Sequence, residues 1–118
     1  MKNGIISIND IKLYAYHGCL KEEGLIGSNY IVNIKILTDY SRASINDDLS
    51  FTVDYCLVFE IVKREMKIRS RLIEHAVNRI AGALKNEIST IKRVKVTLLK
   101  IAPPVNGDVG SVSVIAIK

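Results

Sequence analysis

The chain has 118 residues, 48% apolar and 25% charged, with a formal net charge of +5. That length supports one domain with a sizeable core, and no apolar run approaches the roughly 20 residues a bilayer-spanning helix needs. The charge does not read as a nucleic-acid surface: much of it (Lys63, Arg64, Lys67, Arg69 and Arg71) surrounds one helical stretch that also carries Glu60 and Glu65, and the two phenylalanines are not interleaved with basic residues.

In chain order, Ile5, Ile6 and Ile8 open with strand character, and Ile11, Leu13 and Ala15 resume it on the opposite parity, which predicts a β-bulge at Asn9–Asp10. A loop from His17–Gly18 to Gly27 and Ser28 follows. A second strand has Tyr30, Val32, Ile34 and Ile36 on one face, and the polar stretch from Ser41 to Ser50 reads as a connection. Asp54 is an expected N-cap for a helix through about Arg69, with Leu57, Val58, Ile61, Val62 and Met66 as its buried stripe. Ser70 is the expected cap of a second helix, in which Ile73, Val77, Ile80, Ala81 and Leu84 recur at helical spacing. A third strand covers Val94 to Ile101. A turn at Pro103–Gly107 and a last strand from about Val109 to Ile117 complete the chain.

The order ββααββ predicts an α+β fold, a four-stranded antiparallel sheet with two helices on one face, forming a single domain over residues 1–118. The other face is not cleanly polar, since Ile31, Leu37, Leu99 and Ile101 lie on it. A sheet with two open edges and apolar residues on both faces is a liability for a monomer, so assembly through the edges into an oligomer is expected. The opening MKNGIISIND is broken by Ser7, Asn9 and Asp10 before a secretory segment forms, so a cytoplasmic location is expected. Cys19 and Cys56 accordingly read as reduced thiols.

One residue breaks the third strand's pattern. Strand side chains alternate between faces, so Lys100 continues the buried row of Val94, Val96 and Leu98. An ammonium at the end of an apolar row must be paired, exposed at a rim or used. A lysine snorkelling at the sheet edge is the alternative. Glu23 in the glycine-bounded loop, Tyr55 after the first cap, and Glu74 and His75 in the first turn of the second helix also stand out. Each alone has an ordinary account: dipole complementation for the glutamate, packing for the tyrosine, a structural role for the histidine.

Together the strings YHGCLKEEGLIG, TVDYCLVFEIVK, LIEHAVNRIA and KIAPPVNG, in this order and spacing over essentially the whole chain, resemble dihydroneopterin aldolase of folate biosynthesis, a family of the tunnelling fold. The resemblance implies sheets joined edge to edge into an oligomeric barrel, tetrameric or octameric, with sites shared between subunits. It implies that Glu74 anchors the pterin ring, with main-chain contacts from Ile73. Tyr55 and Val53 would complete the binding site, and Glu23 and Lys100 would face the trihydroxypropyl side chain. Lys100, Tyr55 and Glu23 are the implied catalytic residues, and Lys100 the principal acid/base. No cofactor, metal or Schiff base is implied, because the substrate's own imine serves as the electron sink.

Some positions depart from the family pattern. Cys19 follows His-Gly where a small residue is usual and should lie near the pocket. Phe51 and Asn106 replace a common polar residue and a frequent proline, and Arg71 occupies a position often neutral. Arg71 leaves open a dihydroneopterin triphosphate epimerase, and a non-catalytic pterin-binding module is the other alternative. Two histidines without close Cys/His spacing do not make an ordinary zinc site.

Overall fold

The computed structural model describes residues 2–118. Its elements run β1 (Gly4–Ala15), α1 (Lys21–Ile26), β2 (Ser28–Thr38), α2 (Ser41–Asn46), a 3-10 turn (Leu49–Phe51), α3 (Tyr55–Met66), α4 (Ile73–Glu87), β3 (Arg93–Ile101) and β4 (Ser111–Ile117). The strands form one antiparallel sheet in the order β1-β2-β3-β4. Alternation in β2 and β3 sends Val32, Ile34, Ile36, Val94, Val96 and Leu98 into a core. Val58, Ile61, Val62 and Met66 of α3 and Val77, Ile80, Ala81 and Leu84 of α4 close that core from one side. This is the predicted ββααββ arrangement.

The bulge lies where the parity change puts it. Ile8 pairs with Ile34 and Ile11 with Val32, so Asn9 and Asp10 together face the single residue Asn33. Asp10 takes a left-handed conformation (φ 58°), which its short polar side chain tolerates, and its N–H donates to Asn33 Oδ1 at 2.8 Å. The extra residue keeps Ile6, Ile8, Ile11, Leu13 and Ala15 all against the core.

Several expectations need correction. The stretch from Ser41 to Ser50 holds α2 and the start of a 3-10 turn, and the loop after His17 contains α1. Neither short helix has a buried residue, so neither leaves an apolar stripe to read. α3 is capped by Asp54, whose carboxylate accepts the Cys56 N–H at 2.9 Å, but it ends at Met66 and its Leu57 is 46% exposed. α4 is preceded by Leu72 at the N-cap position, not Ser70. Ser70 is drawn away by other partners: its N–H donates to His17 Nδ1 at 3.0 Å, and its hydroxyl lies 2.9 Å from His75 Nδ1 and 2.7 Å from an Arg79 guanidinium nitrogen. β4 begins at Ser111 rather than Val109.

Arg79 fixes the α3–α4 connection. One of its terminal nitrogens donates to the carbonyls of Glu65 (2.8 Å) and Ile68 (2.7 Å) at and just past the end of α3, and the Glu65 carbonyl also accepts the Ile68 N–H at 3.2 Å. The Glu65 carboxylate, nearly buried, lies 3.4 Å from Arg79 Nε and 2.8 Å from Arg64 Nε. Ser70 of the same connection meets His17, just beyond the end of β1.

Candidate active site

Lys100 lies opposite Tyr30 of β2 and Val112 of β4 and is 5% exposed, so it is neither a rim residue nor a snorkelling one. Its ammonium donates to Glu23 Oε2 at 2.8 Å and to the His17 carbonyl at 2.9 Å. The Tyr30 hydroxyl donates to the same carbonyl at 2.9 Å, and its ring centre is 5.9 Å from Lys100 Nζ. Burial, and then the Glu23 charge, push the Tyr30 phenol up to about 12, so at neutral pH it remains a donor. Glu23 comes from the first turn of α1, where a carboxylate also complements the backbone N–H groups.

Gly18 makes the Lys100–Glu23 contact possible. Its φ of 143° falls in the region open to glycine, and a Cβ there would lie 1.0 Å from Glu23 Oε2. The carboxylate occupies the space a side chain would take.

His17 is the hub beside the pair. Its ring is 1% exposed and stands edge-on to Tyr30, with centroids 5.3 Å apart. The Ser70 N–H bound to Nδ1 fixes the tautomer with the proton on Nε2, which is buried without a partner among the described residues. Burial, and then the cations of Arg79, Lys100 and Arg69, lower its pKa to about 4, so the ring is neutral at pH 7. Sequence reasoning did not select His17, Gly18 or Tyr30. The His-Gly pair sits inside a quoted motif, and Tyr30 and Lys100 both end buried rows, but their meeting depends on contacts between residues 13 to 83 positions apart.

The other expected residues lie elsewhere on the chain. Tyr55 begins α3 and is 64% exposed, while Val53 is buried just before it. Glu74 is exposed in the first turn of α4, directly after the half-buried Ile73. It lines an open groove of about 460 Å³ with His75, Val77 and Asn78 of α4 and Val114–Ile117 of β4. Among the described residues, neither Glu74 nor Tyr55 bonds to the Lys100–Glu23 pair. Cys19 is exposed and free, its thiol donating to the Arg71 carbonyl at 3.3 Å.

The arrangement therefore has a sequestered lysine–carboxylate pair at a sheet end and an exposed carboxylate at a helix N-terminus, with the segments around His17 and Ser70 lying between them. Known proteins share this fold. An Escherichia coli dihydroneopterin aldolase solved with neopterin superposes with a TM-score of 0.88 over 98% of both chains at 21% identity. A Burkholderia dihydroneopterin aldolase bound to guanine gives 0.78 over 98% of this chain and 90% of its own, at 19% identity. At those identities the likeness concerns the fold. In sequence, the dihydroneopterin aldolase of Staphylococcus epidermidis is 36% identical over 113 residues, 95% of this chain and 93% of that one. That of Streptococcus pyogenes is 33% identical over 110 residues, 92% of each chain. The family model described as dihydroneopterin aldolase (FolB) matches residues 6–116, and with nearly the whole chain matched, it belongs to the dihydroneopterin aldolase family.

Proposed function

We propose that the chain cleaves 7,8-dihydroneopterin by a retro-aldol reaction to 6-hydroxymethyl-7,8-dihydropterin and glycolaldehyde, a step of folate biosynthesis. The observation that carries this reading is the buried Lys100–Glu23 contact at 2.8 Å, an acid and a base within proton-transfer reach at the end of an apolar row. Lys100 is the principal acid/base and Glu23 its partner. Glu74 anchors the ring: neopterin is bound by the Escherichia coli relative and guanine by the Burkholderia one. Both rings present an amide N–H beside a 2-amino group, a donor pair that a carboxylate accepts bidentately. The start of α4 adds main-chain donors at Ile73.

The proton of the C2′ hydroxyl leaves through a water held by Lys100, and C2′ becomes the carbonyl carbon of glycolaldehyde. The electrons of the broken C1′–C2′ bond run into the ring's C6=N5 imine and leave an enamine. Return of the proton to C1′ restores the imine and gives the product. The substrate supplies its own sink, so the cycle calls for neither a metal ion nor a lysine imine. Tyr55 acts across a subunit boundary, a role supported by its exposure and, among the described residues, by the unpaired outer edges of β1 and β4, while Val53, buried just before it, sets the start of α3 beside the binding site. Incubation with 7,8-dihydroneopterin should release glycolaldehyde in step with 6-hydroxymethyl-7,8-dihydropterin. Turnover confined to the triphosphorylated substrate, with inversion at C2′ and no aldehyde, would assign the chain to epimerisation instead.

A further inference from the structure

We infer that Arg69 is a positioning residue for the Lys100–Glu23 pair, acting through the backbone of the segment that joins β1 to α1. Its guanidinium collects three carbonyls of that segment. Nε donates to Tyr16 O at 3.0 Å, and one terminal nitrogen donates to Gly18 O at 2.9 Å and Leu20 O at 3.2 Å. The carbonyl between the first two, that of His17, is the one that receives Lys100 and Tyr30. Holding the carbonyls of residues 16, 18 and 20 on Arg69 thus fixes the orientation of the intervening peptide that presents its oxygen to the ammonium.

The same guanidinium reaches α1. Leu20 precedes the helix, and its carbonyl also accepts the Glu23 N–H at 3.1 Å, so Arg69 holds the start of the element that carries the carboxylate. A Cβ on Gly24 would lie 2.6 Å from Arg69 Cζ, which puts the guanidinium flat against that helix. The neighbouring Ser70 completes the stitch, with its carbonyl accepting the Gly18 N–H at 2.9 Å and its N–H bound to His17 Nδ1. Glu74 follows four residues later at the start of α4. Through Arg69 and Ser70 the connection that leads to the proposed ring anchor is tied to the loop that orients the acid/base pair. Such charge-assisted bonds from a planar fork cannot be reproduced by a point charge.

The activity arm rests on the aldolase reading; the backbone arm does not. In Arg69→Ala, amide hydrogen exchange across residues 18–26 should accelerate while β2 and β3 keep their protection. Turnover of 7,8-dihydroneopterin should fall about tenfold to a hundredfold with affinity for the pterin product unchanged, the scale expected when a reacting group is displaced by an ångström. The loss should shrink in a Glu23→Gln background, because Arg69 acts in part through that side chain's placement and the remainder through the His17 carbonyl. Arg69→Lys should recover only part of the rate, since one ammonium cannot span three carbonyls. Unaltered exchange in Arg69→Ala, rate losses that multiply in the double variant, or full rescue by lysine would each overturn the inference. Absence of glycolaldehyde with the parent would instead remove the aldolase reading, and the exchange comparison would still decide whether Arg69 holds the loop.

Discussion

Both partners of the Lys100 ammonium lie on the segment between β1 and the middle of α1: the His17 carbonyl and the Glu23 carboxylate. Lys100→Ala should therefore lower turnover of dihydroneopterin by about 10²–10⁴, the usual cost of losing a general acid/base, with product affinity much less affected. Near-normal turnover in that variant would reduce Lys100 to a structural residue. Gly18→Ala should be as damaging by another route, because the new methyl group claims the position of Glu23 Oε2 and the backbone sits at φ 143°. Its signature would be loss of both rate and stability, read as turnover and as a lowered urea midpoint. His17 adds a pH dependence. Its folded pKa of about 4 lies below the ordinary 6.5, so between those values the unfolded chain binds more protons. The stabilisation is full above pH 6.5 and is lost as the pH falls toward 4, on the order of 3 kcal/mol across the whole window. Urea titrations between pH 7 and 5 should show a declining unfolding free energy, and His17→Asn should flatten that decline. An equal slope in the variant would place the effect on other groups.

Elements with one period and one buried face were legible in the sequence, and those fixed by distant partners were not. Val94, Val96, Leu98 and Lys100 alternate without interruption, so the strand and its anomalous lysine could be read together. The parity change at Asn9–Asp10 gave the bulge for the same reason. Ser70 misled because a serine ahead of an apolar periodic run is a local signal for a cap, whereas its actual partners are His17, 53 residues away, and the side chains of His75 and Arg79 within α4. Of the proposed site, Glu23 and Lys100 were singled out and are found in contact, while the carbonyl hub at His17 belongs to main chain and left no side-chain signal. Glu74 sits in the first turn of α4, where its carboxylate suits a ring bearing paired donors and the backbone N–H groups suit the ring's acceptors. Glu74→Gln turns one acceptor into a donor facing N–H groups. Pterin affinity should drop by one to two decades, about 1.5–3 kcal/mol for a charged hydrogen bond, with unfolding little changed. Calorimetric titration with the product tests it, and unchanged affinity would move the anchor elsewhere.

As a whole the chain is longer than a compact domain of its size. Its radius of gyration is 15.7 Å and its extents are 53 × 24 × 20 Å, against about 13.5 Å expected for the radius at this length. Among the described residues the sheet ends in two unpaired edges, and Ile5, Tyr14, Tyr55, Val112, Ile115 and Ile117 are exposed. A lone copy would carry both the edge hazard and this apolar surface. Edge-to-edge pairing of copies would remove the first and cover part of the second. Light scattering should therefore report a multiple of 13.1 kDa, and unfolding midpoints should rise with protein concentration. The register allows a sharper test. Val94 and Lys118 exchange both backbone hydrogen bonds, and antiparallel pairs alternate from there, so Val96–Ala116, Leu98–Val114 and Lys100–Val112 are bonded pairs too. Ser111, Ser113, Ile115 and Ile117 of β4 consequently turn their N–H and C=O groups outward, to the free edge. Ser113→Pro deletes one outward donor and no bond to β3, which an edge strand tolerates. If β4 pairs with another copy, this variant should keep its strand and helix content, fall to a smaller particle and lose activity, because Tyr55 can no longer be delivered across the boundary. A Ser113→Pro protein with the parent's mass and turnover would show that β4 is not the joining edge.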